Sequence, residues 1–362
     1  MNTYYSRYTS LGRICGFYEG KKVDSRLEAL KSWVGDELKL DNTQIEPASA
    51  DASFRRYFRV HQSRGNLIVM DAPPAKEDLR SFLQVAQLLL EVGVNVPRIL
   101  AQDVARGFLL LSDLGSSQYL DSLQAGQRVQ VLYDDALAAL VRMQSRGREP
   151  ARRLPAYDRA LLVREMTLMP EWFLNRHLGI EITGREHTML NTLFDRLVRN
   201  AEEQPATFVH RDYHSRNLMV CDDANPGILD FQDAVFGPIT YDLVSLLKDC
   251  YIAWPDSQVT GLALAYRGRL LNLDLPAGRD ADEFLRWFDL MGMQRHIKVL
   301  GIFARLWYRD GKRGYLKDLP LVLRYVRETA QRHLDLRDFA AFIESRVAYA
   351  FAAAQARESV PS

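Results

Sequence analysis

The side chains with the clearest chemical potential lie in a polar loop near the middle of the chain, at residues 210–217. The loop reads His-Arg-Asp-Tyr-His-Ser-Arg-Asn, so that Asp212 stands five residues before Asn217. A second polar stretch, Leu-Asp-Phe-Gln-Asp at residues 229–233, follows shortly afterwards. Two carboxylates and an amide in this order could orient a hydroxyl group and bind a divalent cation through oxygen ligands.

The segment between the two stretches predicts a β-hairpin. Residues 218–221 and 228–229 are apolar, and turn-forming Asp, Asn, Pro and Gly dominate the positions between them. Because paired strands lie about 5 Å apart, we expect the hairpin to bring Asp230 beside Asn217. Asp212 would then orient the proton of an acceptor hydroxyl, while the other two would bind Mg²⁺. Phosphoryl transfer requires this set of groups.

Each part of this pattern has an ordinary structural explanation. A His-Arg-Asp tripeptide is common, and an Asp in a loop caps a turn more often than it catalyses a reaction. The whole pattern consists of H-R-D-x-x-x-x-N, a strand-turn-strand segment and then D-F-x-D, in that order. A chance match to all of its parts is improbable, so we interpret the region as a kinase-type catalytic core.

The composition excludes several other classes of protein. The chain has 362 residues, which is enough for two lobes, and its shares of hydrophobic (47%) and charged (26%) residues are those of a globular protein. A formal net charge of +1 argues against nucleic acid or an anionic membrane as the main partner. Cys15, Cys221 and Cys250 are too scattered for a disulfide framework or a zinc site, and no apolar run is long enough for a membrane span. We therefore expect a cytoplasmic protein.

The polar loop and the acidic stretch resemble the catalytic and metal-binding loops of the aminoglycoside phosphotransferase family, small-molecule relatives of protein kinases. The resemblance runs from about residue 25 to about residue 345. It implies an α+β, protein-kinase-like two-lobe fold, in which a small lobe has an antiparallel sheet plus a helix and a large lobe is mostly helical. It also implies ATP and Mg²⁺ as cofactors. The expected divisions are an extension (1–24), a nucleotide-binding N-lobe (25–112), a hinge (113–116) and a catalytic and substrate-binding C-lobe (117–362).

Residues 48–60, 68–74 and 229–234 resemble, more narrowly, the bacterial amino-sugar kinases of cell-wall recycling within that family. This implies a monomer that phosphorylates the anomeric (C1) hydroxyl of N-acetylmuramate and N-acetylglucosamine. Other acceptors of the same fold are an aminoglycoside, choline or homoserine, and a different class of function is a pseudokinase that only binds. Choline favours an aromatic and acidic cage and an aminoglycoside an acidic pocket, whereas the basic residues near the expected cleft suit an acceptor with a carboxylate.

The nucleotide site departs from the kinase pattern. The loop at residues 50–53 has no glycine, so backbone N–H groups and the Ser53 hydroxyl would meet the phosphates. The strand at residues 67–71 lacks the usual lysine. Arg56 falls on the apolar side of its strand and needs a carboxylate or phosphate partner; it, an adjacent basic residue or Lys76 would hold the phosphates. Glu77 or Asp78, at the start of the next helix, could pair with that cation.

Other residues are expected around the reaction centre. Ser112 and Leu114 of the hinge would present backbone groups to the adenine ring. By resemblance, Asp242 accepts backbone N–H bonds under the polar loop. Polar residues on the helix at 282–310 suggest that one edge faces a cleft; they are Gln294, Arg295, Lys298 and Arg305. The expected substrate-binding residues are His214, Arg216, Gln232 and Asp233, with His210 as structural support; Arg216 could instead bind the γ-phosphate or brace the loop.

Periodicity and turn signals predict the regular elements that position these residues. A first helix should begin with a capping box at Ser25. The expected strands are 44–48, 54–60, 67–71, 98–102 and 108–112. The other expected helices are 77–92, 126–145, 158–177, 186–203, 241–252, 258–271, 282–310, 318–333 and 336–356.

Overall fold

The computed structural model describes residues 24–40, 44–50 and 54–358. The expected extension up to residue 23 and the expected lid residue Ser53 lie outside these ranges. The α+β class is confirmed, because a five-stranded antiparallel sheet precedes a mostly helical portion. Within the described ranges, none of the helices has the length and apolar character needed to traverse a lipid bilayer.

The sheet has the spatial order β1-β2-β3-β5-β4, with antiparallel neighbours throughout. The predicted strands agree with it to within two residues at each end. Its strands are β1 (Ile45–Ala50), β2 (Arg56–Val60), β3 (Leu67–Asp71), β4 (Ile99–Asp103) and β5 (Phe108–Ser112).

The two faces of this sheet have different surroundings, and side chains that alternate along each strand point to one face or the other. Phe58 lies on the face that packs against α1 (Ser25–Ser32), in a buried cluster with Leu30. The opposite face carries Tyr57 and Ile68, which line a large cleft. Alternation along β2 therefore decides which side chains can reach the cleft.

Capping residues determine where the first two helices begin and where the second one ends. The predicted capping box at Ser25 is wrong: Asp24 is the N-cap, and its carboxylate accepts the backbone N–H three residues on, at 3.1 Å. Asp78 caps α2 (Leu79–Val92) by accepting the backbone N–H two residues on, at 2.9 Å, so that helix begins later than predicted. It ends, as predicted, at Gly93, whose φ of 83° favours glycine.

The helical portion differs from the predictions mainly where long helices are broken. The segment predicted as one helix at 158–177 is an α-helix followed by a π-helical stretch, Met169–His177, in which Pro170 cannot donate a backbone hydrogen bond. The segment at 336–356 is broken by a π-helical turn, and the short α3 was not predicted. The helices are α3 (Tyr119–Gln124), α4 (Val129–Arg146), α5 (Arg159–Met166), α6 (Gly184–Glu202), α7 (Tyr241–Leu247), α8 (Asp256–Leu271), α9 (Ala281–Tyr308), α10 (Leu319–Arg332), α11 (Arg337–Phe342) and α12 (Ala348–Glu358).

Two short sheets flank the polar loop. They pair β6 with β9 and β7 with β8, both antiparallel. The Leu229 N–H donates to the Asn217 carbonyl at 2.9 Å, next to the β7–β8 pair, so the predicted hairpin is confirmed. The strands are β6 (Ala206–Val209), β7 (Leu218–Met219), β8 (Gly227–Ile228) and β9 (Val235–Pro238).

Helix α9 is the centre of the helical portion. It is buried over most of its length and packs against α6, α7 and α10. Gly301 permits its close approach to Leu168, since a Cβ at this glycine would lie 2.4 Å from the Leu168 carbonyl carbon. This packing fixes the charged side chains of α9 at the wall of the cleft.

Candidate active site

A cleft of about 990 Å³ opens between the sheet and the helical portion. We call the part lined by Arg59, Ser112 and Leu114 the hinge end, and the part lined by Arg164 of α5 and Arg305 of α9 the helical end. The three residues predicted to form the reaction centre all line this cleft; they are Asp212, Asn217 and Asp230.

Hydrogen bonds hold the three together. The Asn217 amide nitrogen donates to the Asp212 carbonyl at 3.0 Å and lies 3.3 Å from Asp230 Oδ2. Gln232 Nε2 donates to Asp230 Oδ1 at 2.7 Å. Arg211 and Asp230 have φ angles of 77° and 61°, in the left-handed region that L-residues rarely adopt. Such backbone strain is typical of functional sites, where surrounding contacts compensate for it.

Two buried aspartates brace the polar loop from below. Asp242 accepts the backbone N–H groups of His210 (2.6 Å) and Arg211 (2.9 Å), in the arrangement that the family resemblance implies. Burial raises the pKa of Asp242 to about 7, although these two donors favour the charged form. Asp249 accepts both the backbone N–H (3.0 Å) and the hydroxyl (2.5 Å) of Ser215. Asp249 was not predicted as a functional residue, because it lies in no motif.

A buried cluster of cations surrounds Asp212. Glu165 of α5 forms ion pairs with Arg211 and with Lys298 Nζ, the latter at 3.2 Å. Arg295 Nη1 donates to the Arg211 carbonyl at 2.8 Å and lies 3.9 Å from Asp212 Oδ1. The prediction that basic residues of α9 face a cleft is therefore confirmed, whereas Gln294 lies fully buried behind it.

These cations decide the ionisation of Asp212. Desolvation at the floor of the cleft would raise the pKa of its carboxyl, but the positive charges, Lys298 first and Arg295 second, hold that pKa well below its usual range. The side chain is nevertheless 38% exposed, because it opens onto the cleft. Asp212 is thus an accessible carboxylate at neutral pH, able to accept a hydrogen bond from a hydroxyl group.

The hinge end is fixed by an ion pair. Arg59 of β2 binds Asp113 through Nε (2.6 Å) and Nη2 (3.1 Å), and it also donates to the Gly115 carbonyl at 3.0 Å. Ser112 lines the cleft, but its backbone N–H donates to Arg98. Leu114, which also lines the cleft, is therefore better placed than Ser112 to offer a backbone N–H to a base.

The structure does not bring Arg56 to the cleft. Its guanidinium binds the buried Asp71 carboxylate, with Nε 3.0 Å from Oδ2, on the face of the sheet that α1 covers. Asp71 faces the same way, and its buried carboxylate is likewise absent from the lining of the cleft. Lys76 is exposed, with its ammonium group 5.3 Å from the centre of the Phe54 ring. The carboxylate partner expected for Arg56 is thus present, but neither cation lines the cleft.

Arg55, one residue earlier, lies nearer to the reaction centre. Its side chain is only 9% exposed, and its Nε is 3.5 Å from Glu77 Oε2. A small cavity beside the cleft is lined by Arg55 and Glu77 together with Gln232 and Asp233 of the acidic stretch. The alternative that an adjacent basic residue replaces the strand lysine, with Glu77 as its partner, therefore has a definite candidate.

The remaining predicted residues surround the cleft at different depths. His214 packs edge-on against Tyr251, and burial lowers the pKa of its ring. Arg216 stacks on the same tyrosine, 3.6 Å from the ring centre, and lies 3.9 Å from Asp318. The side-chain amide of Gln232 is already bonded to Asp230, so its nitrogen is less available than the Asp212 carboxylate to contact an acceptor. His210 is fully buried, and burial lowers its pKa to about 4, so it is a neutral structural residue.

The donor set fits Mg²⁺. Asn217 and Asp230 supply hard oxygen ligands, and Mg²⁺ in phosphoryl-transfer sites usually takes one or two protein oxygens beside phosphate oxygens and water. Among the described residues no group of three or more His, Cys, Asp or Glu side chains could hold a metal ion. A Mg²⁺ site that is completed by phosphate oxygens of the nucleotide does not require three such side chains.

The sequence matches known proteins over most of its length. Residues 44–284 match the model of the phosphotransferase enzyme family. A protein of Pseudomonas aeruginosa named N-acetylmuramate/N-acetylglucosamine kinase is 46% identical over 332 residues, which cover 89% of this chain and 97% of that protein. A protein of the same name from Neisseria meningitidis serogroup B is 42% identical and covers 85% and 92% of the two chains.

Solved structures share the fold at low sequence identity. The GDP complex of aminoglycoside 2'-phosphotransferase-IIIa has a TM-score of 0.58 and 16% identity, and it covers 85% of this chain and 99% of its own. Choline kinase LicA from Streptococcus pneumoniae has a TM-score of 0.58 and 10% identity, with 83% and 99% covered. The match over residues 44–284, together with the relatives that are 42–46% identical, establishes that the chain belongs to the phosphotransferase enzyme family.

Proposed function

We propose that this chain is an ATP-dependent kinase that phosphorylates the anomeric (C1) hydroxyl of N-acetylmuramate and N-acetylglucosamine in cell-wall recycling. The observation that carries the proposal is the convergence of Asp212, Asn217 and Asp230 in one cleft of a chain 46% identical to a kinase of that name. We further propose that it acts as a monomer in the cytoplasm, where ATP is available.

The chain's own residues would mainly position the reactants. Asp212 orients the C1 hydroxyl and accepts its proton, while Lys298 and Arg295 keep that carboxylate ionised. Asn217 and Asp230 would hold Mg²⁺, which neutralises charge on the phosphates when bound. The transition state is loose and asks little of a base, so a carboxylate of low pKa suffices. A hemiacetal hydroxyl is also more acidic than the other hydroxyls of a sugar, which eases the transfer.

The charge of the cleft supports an anionic or neutral acceptor over a cationic one. Arg164 and Arg305 line the helical end, and no hydrogen bond or ion pair is present for either side chain within the described part of the chain. Choline or an aminoglycoside would bring further positive charge to these arginines. The intact reaction centre likewise argues against a pseudokinase.

The position of phosphorylation tests the proposal. We expect the product of N-acetylmuramate and ATP to be the 1-phosphate, because a ring held with C1 towards Asp212 leaves the other hydroxyls out of line. The measurement is ³¹P and ¹H NMR of the purified product, in which the phosphorus signal should be a doublet coupled to the anomeric proton. A 6-phosphate, or turnover of choline or an aminoglycoside without either amino sugar, contradicts the proposal.

A second prediction concerns the ATP phosphates. We expect Arg55→Met to raise KM for ATP by roughly 10- to 100-fold, because a charge-assisted hydrogen bond contributes about 1.5–3 kcal/mol. Arg56→Met should change KM for ATP less than threefold and instead lower the melting temperature, since it removes a partner of the buried Asp71. Steady-state kinetics and thermal unfolding of both variants measure this.

Lys76→Met is the matched control, because Lys76 is an exposed cation of the same lobe. It should behave as wild type in both assays. A larger rise in KM for ATP in Arg56→Met or Lys76→Met than in Arg55→Met would move the phosphate-binding role away from Arg55.

A further inference from the structure

The cations that line the cleft differ in whether the protein itself neutralises them. Arg59 is bound to Asp113, and Arg211 and Lys298 share Glu165. These cations each have a carboxylate partner before any substrate arrives, although the Nε of Arg211 makes no hydrogen bond with the described residues. They fix the hinge end of the cleft and the polar loop, and they therefore have little capacity left for an anionic ligand.

Arg305 has no such partner. Its Nε is buried without a hydrogen-bond partner, and among the described residues no carboxylate lies within ion-pair distance of its side chain. The nearby Asp310 is taken by Arg309, at 2.8 and 2.9 Å. Burial and then the positive charge of Arg309 lower the pKa of Arg305, and the carboxylates of Asp310 and Glu171 only partly offset this. A half-buried guanidinium without an anion is costly, and a bound anion would remove that cost.

The position of Arg305 suits one part of the acceptor. It follows Lys298, which stabilises the Asp212 carboxylate, by seven residues on α9. Seven residues are two helical turns, or about 10 Å, on the same side of the helix. This distance along the helix is comparable with the length of a hexose ring that carries a three-carbon acid. An acceptor with C1 at Asp212 would therefore extend its far side towards Arg305.

Three aromatic side chains that contact one another line the cleft, one of them on α9 itself. Tyr251 and Phe303 stack with their ring centres 6.2 Å apart, and Tyr315 lies 5.2 Å from Phe303. Arg216 covers one face of Tyr251. Phe303 and Tyr315 are therefore the rings that could meet the C–H surface of a sugar, which leaves the ionic contact to Arg305.

We propose that Arg305 binds the lactyl carboxylate of N-acetylmuramate and so sets the preference for this sugar over N-acetylglucosamine. The proposal rests on the proposed function. The two sugars differ in that N-acetylmuramate carries an ether-linked lactyl acid where N-acetylglucosamine has a free hydroxyl. Only the former therefore has an anion for Arg305. Arg164, at the same end of the cleft, adds positive charge but lies more exposed.

The test is the ratio of kcat/KM for N-acetylmuramate to that for N-acetylglucosamine, measured in the wild type, Arg305→Met and Arg305→Lys. Methionine keeps the length of the side chain without its charge, and we expect the ratio to fall roughly 10- to 100-fold, as the loss of a charge-assisted hydrogen bond implies. Lysine restores the positive charge but cannot form the two parallel hydrogen bonds of a guanidinium with a carboxylate, so it should recover part of the ratio. Arg309→Met, which removes an exposed and already paired arginine one turn later, should keep the wild-type ratio.

The outcomes separate this inference from the function beneath it. If the wild type phosphorylates neither amino sugar, the proposed function itself fails. If the wild type phosphorylates both, but Arg305→Met loses both equally or keeps the ratio, only the role of Arg305 is overturned. A fall in the ratio that Arg305→Lys partly reverses supports it, since a merely structural arginine would not distinguish the two sugars.

Discussion

Asp230→Asn is expected to abolish turnover while leaving the fold intact. The substitution replaces a charged ligand of the proposed Mg²⁺ site by a neutral amide. Metal ions stabilise the charge of a transition state by several kcal/mol, so the loss should reach roughly 1,000-fold or more in kcat. Asparagine also tolerates the φ of 61° at this position and keeps an oxygen for the bond from Gln232.

The matched control for this variant is Asp223→Asn in the exposed turn of the hairpin. It removes the same charge seven residues away and should keep wild-type kinetics. Circular dichroism and thermal unfolding should agree for both variants and the wild type. Near-normal kcat of Asp230→Asn at millimolar Mg²⁺ would remove Asp230 from the metal site.

Asp212→Asn should lower kcat by about two to four orders of magnitude, the range typical of general acid–base groups. The amide is isosteric but cannot accept the proton of the sugar hydroxyl. We expect KM for ATP to change little, because Asp212 orients the acceptor and not the nucleotide. Initial rates with saturating sugar and varied ATP separate the two effects.

The prediction has a second readout in the surroundings of Asp212. The neutral amide removes one negative charge near Arg295 and Lys298, while Glu165 still pairs with Lys298, so the unfolding temperature should change modestly while kcat falls steeply. Asp223→Asn again serves as the control for the loss of one charge. A kcat within tenfold of the wild type would show that Asp212 does not serve the acceptor hydroxyl.

The reaction centre was predictable because its geometry is local. A turn rich in Asp, Asn, Pro and Gly between two apolar steps specifies a hairpin, and a hairpin brings Asp230 to Asn217 whatever surrounds it. The strands of the sheet were predictable for the same reason, since alternation is a property of each strand. The polar edge of α9 was visible as a row of charges in an apolar helix.

The phosphate-binding cation was not predictable with the same certainty. Alternation along β2 separates Arg55 from Arg56, but it does not say which face of the sheet meets the cleft. That choice depends on α1, which covers the face of Arg56 and Asp71. Asp249 was missed for a related reason: its bonds to Ser215 span 34 residues, and no local signal reveals them.

Helix α1 has a consequence for how small a working version of this chain can be. The match to the family model begins at residue 44, but the outer face of the sheet is completed by residues before it. Arg26 Nε donates to Asp71 at 2.9 Å, so removing α1 would strip a buried carboxylate of one of its two arginines and uncover Phe58. The autonomous folding unit is therefore larger than the family region, and the first helix is part of the architecture that any shortened chain must retain.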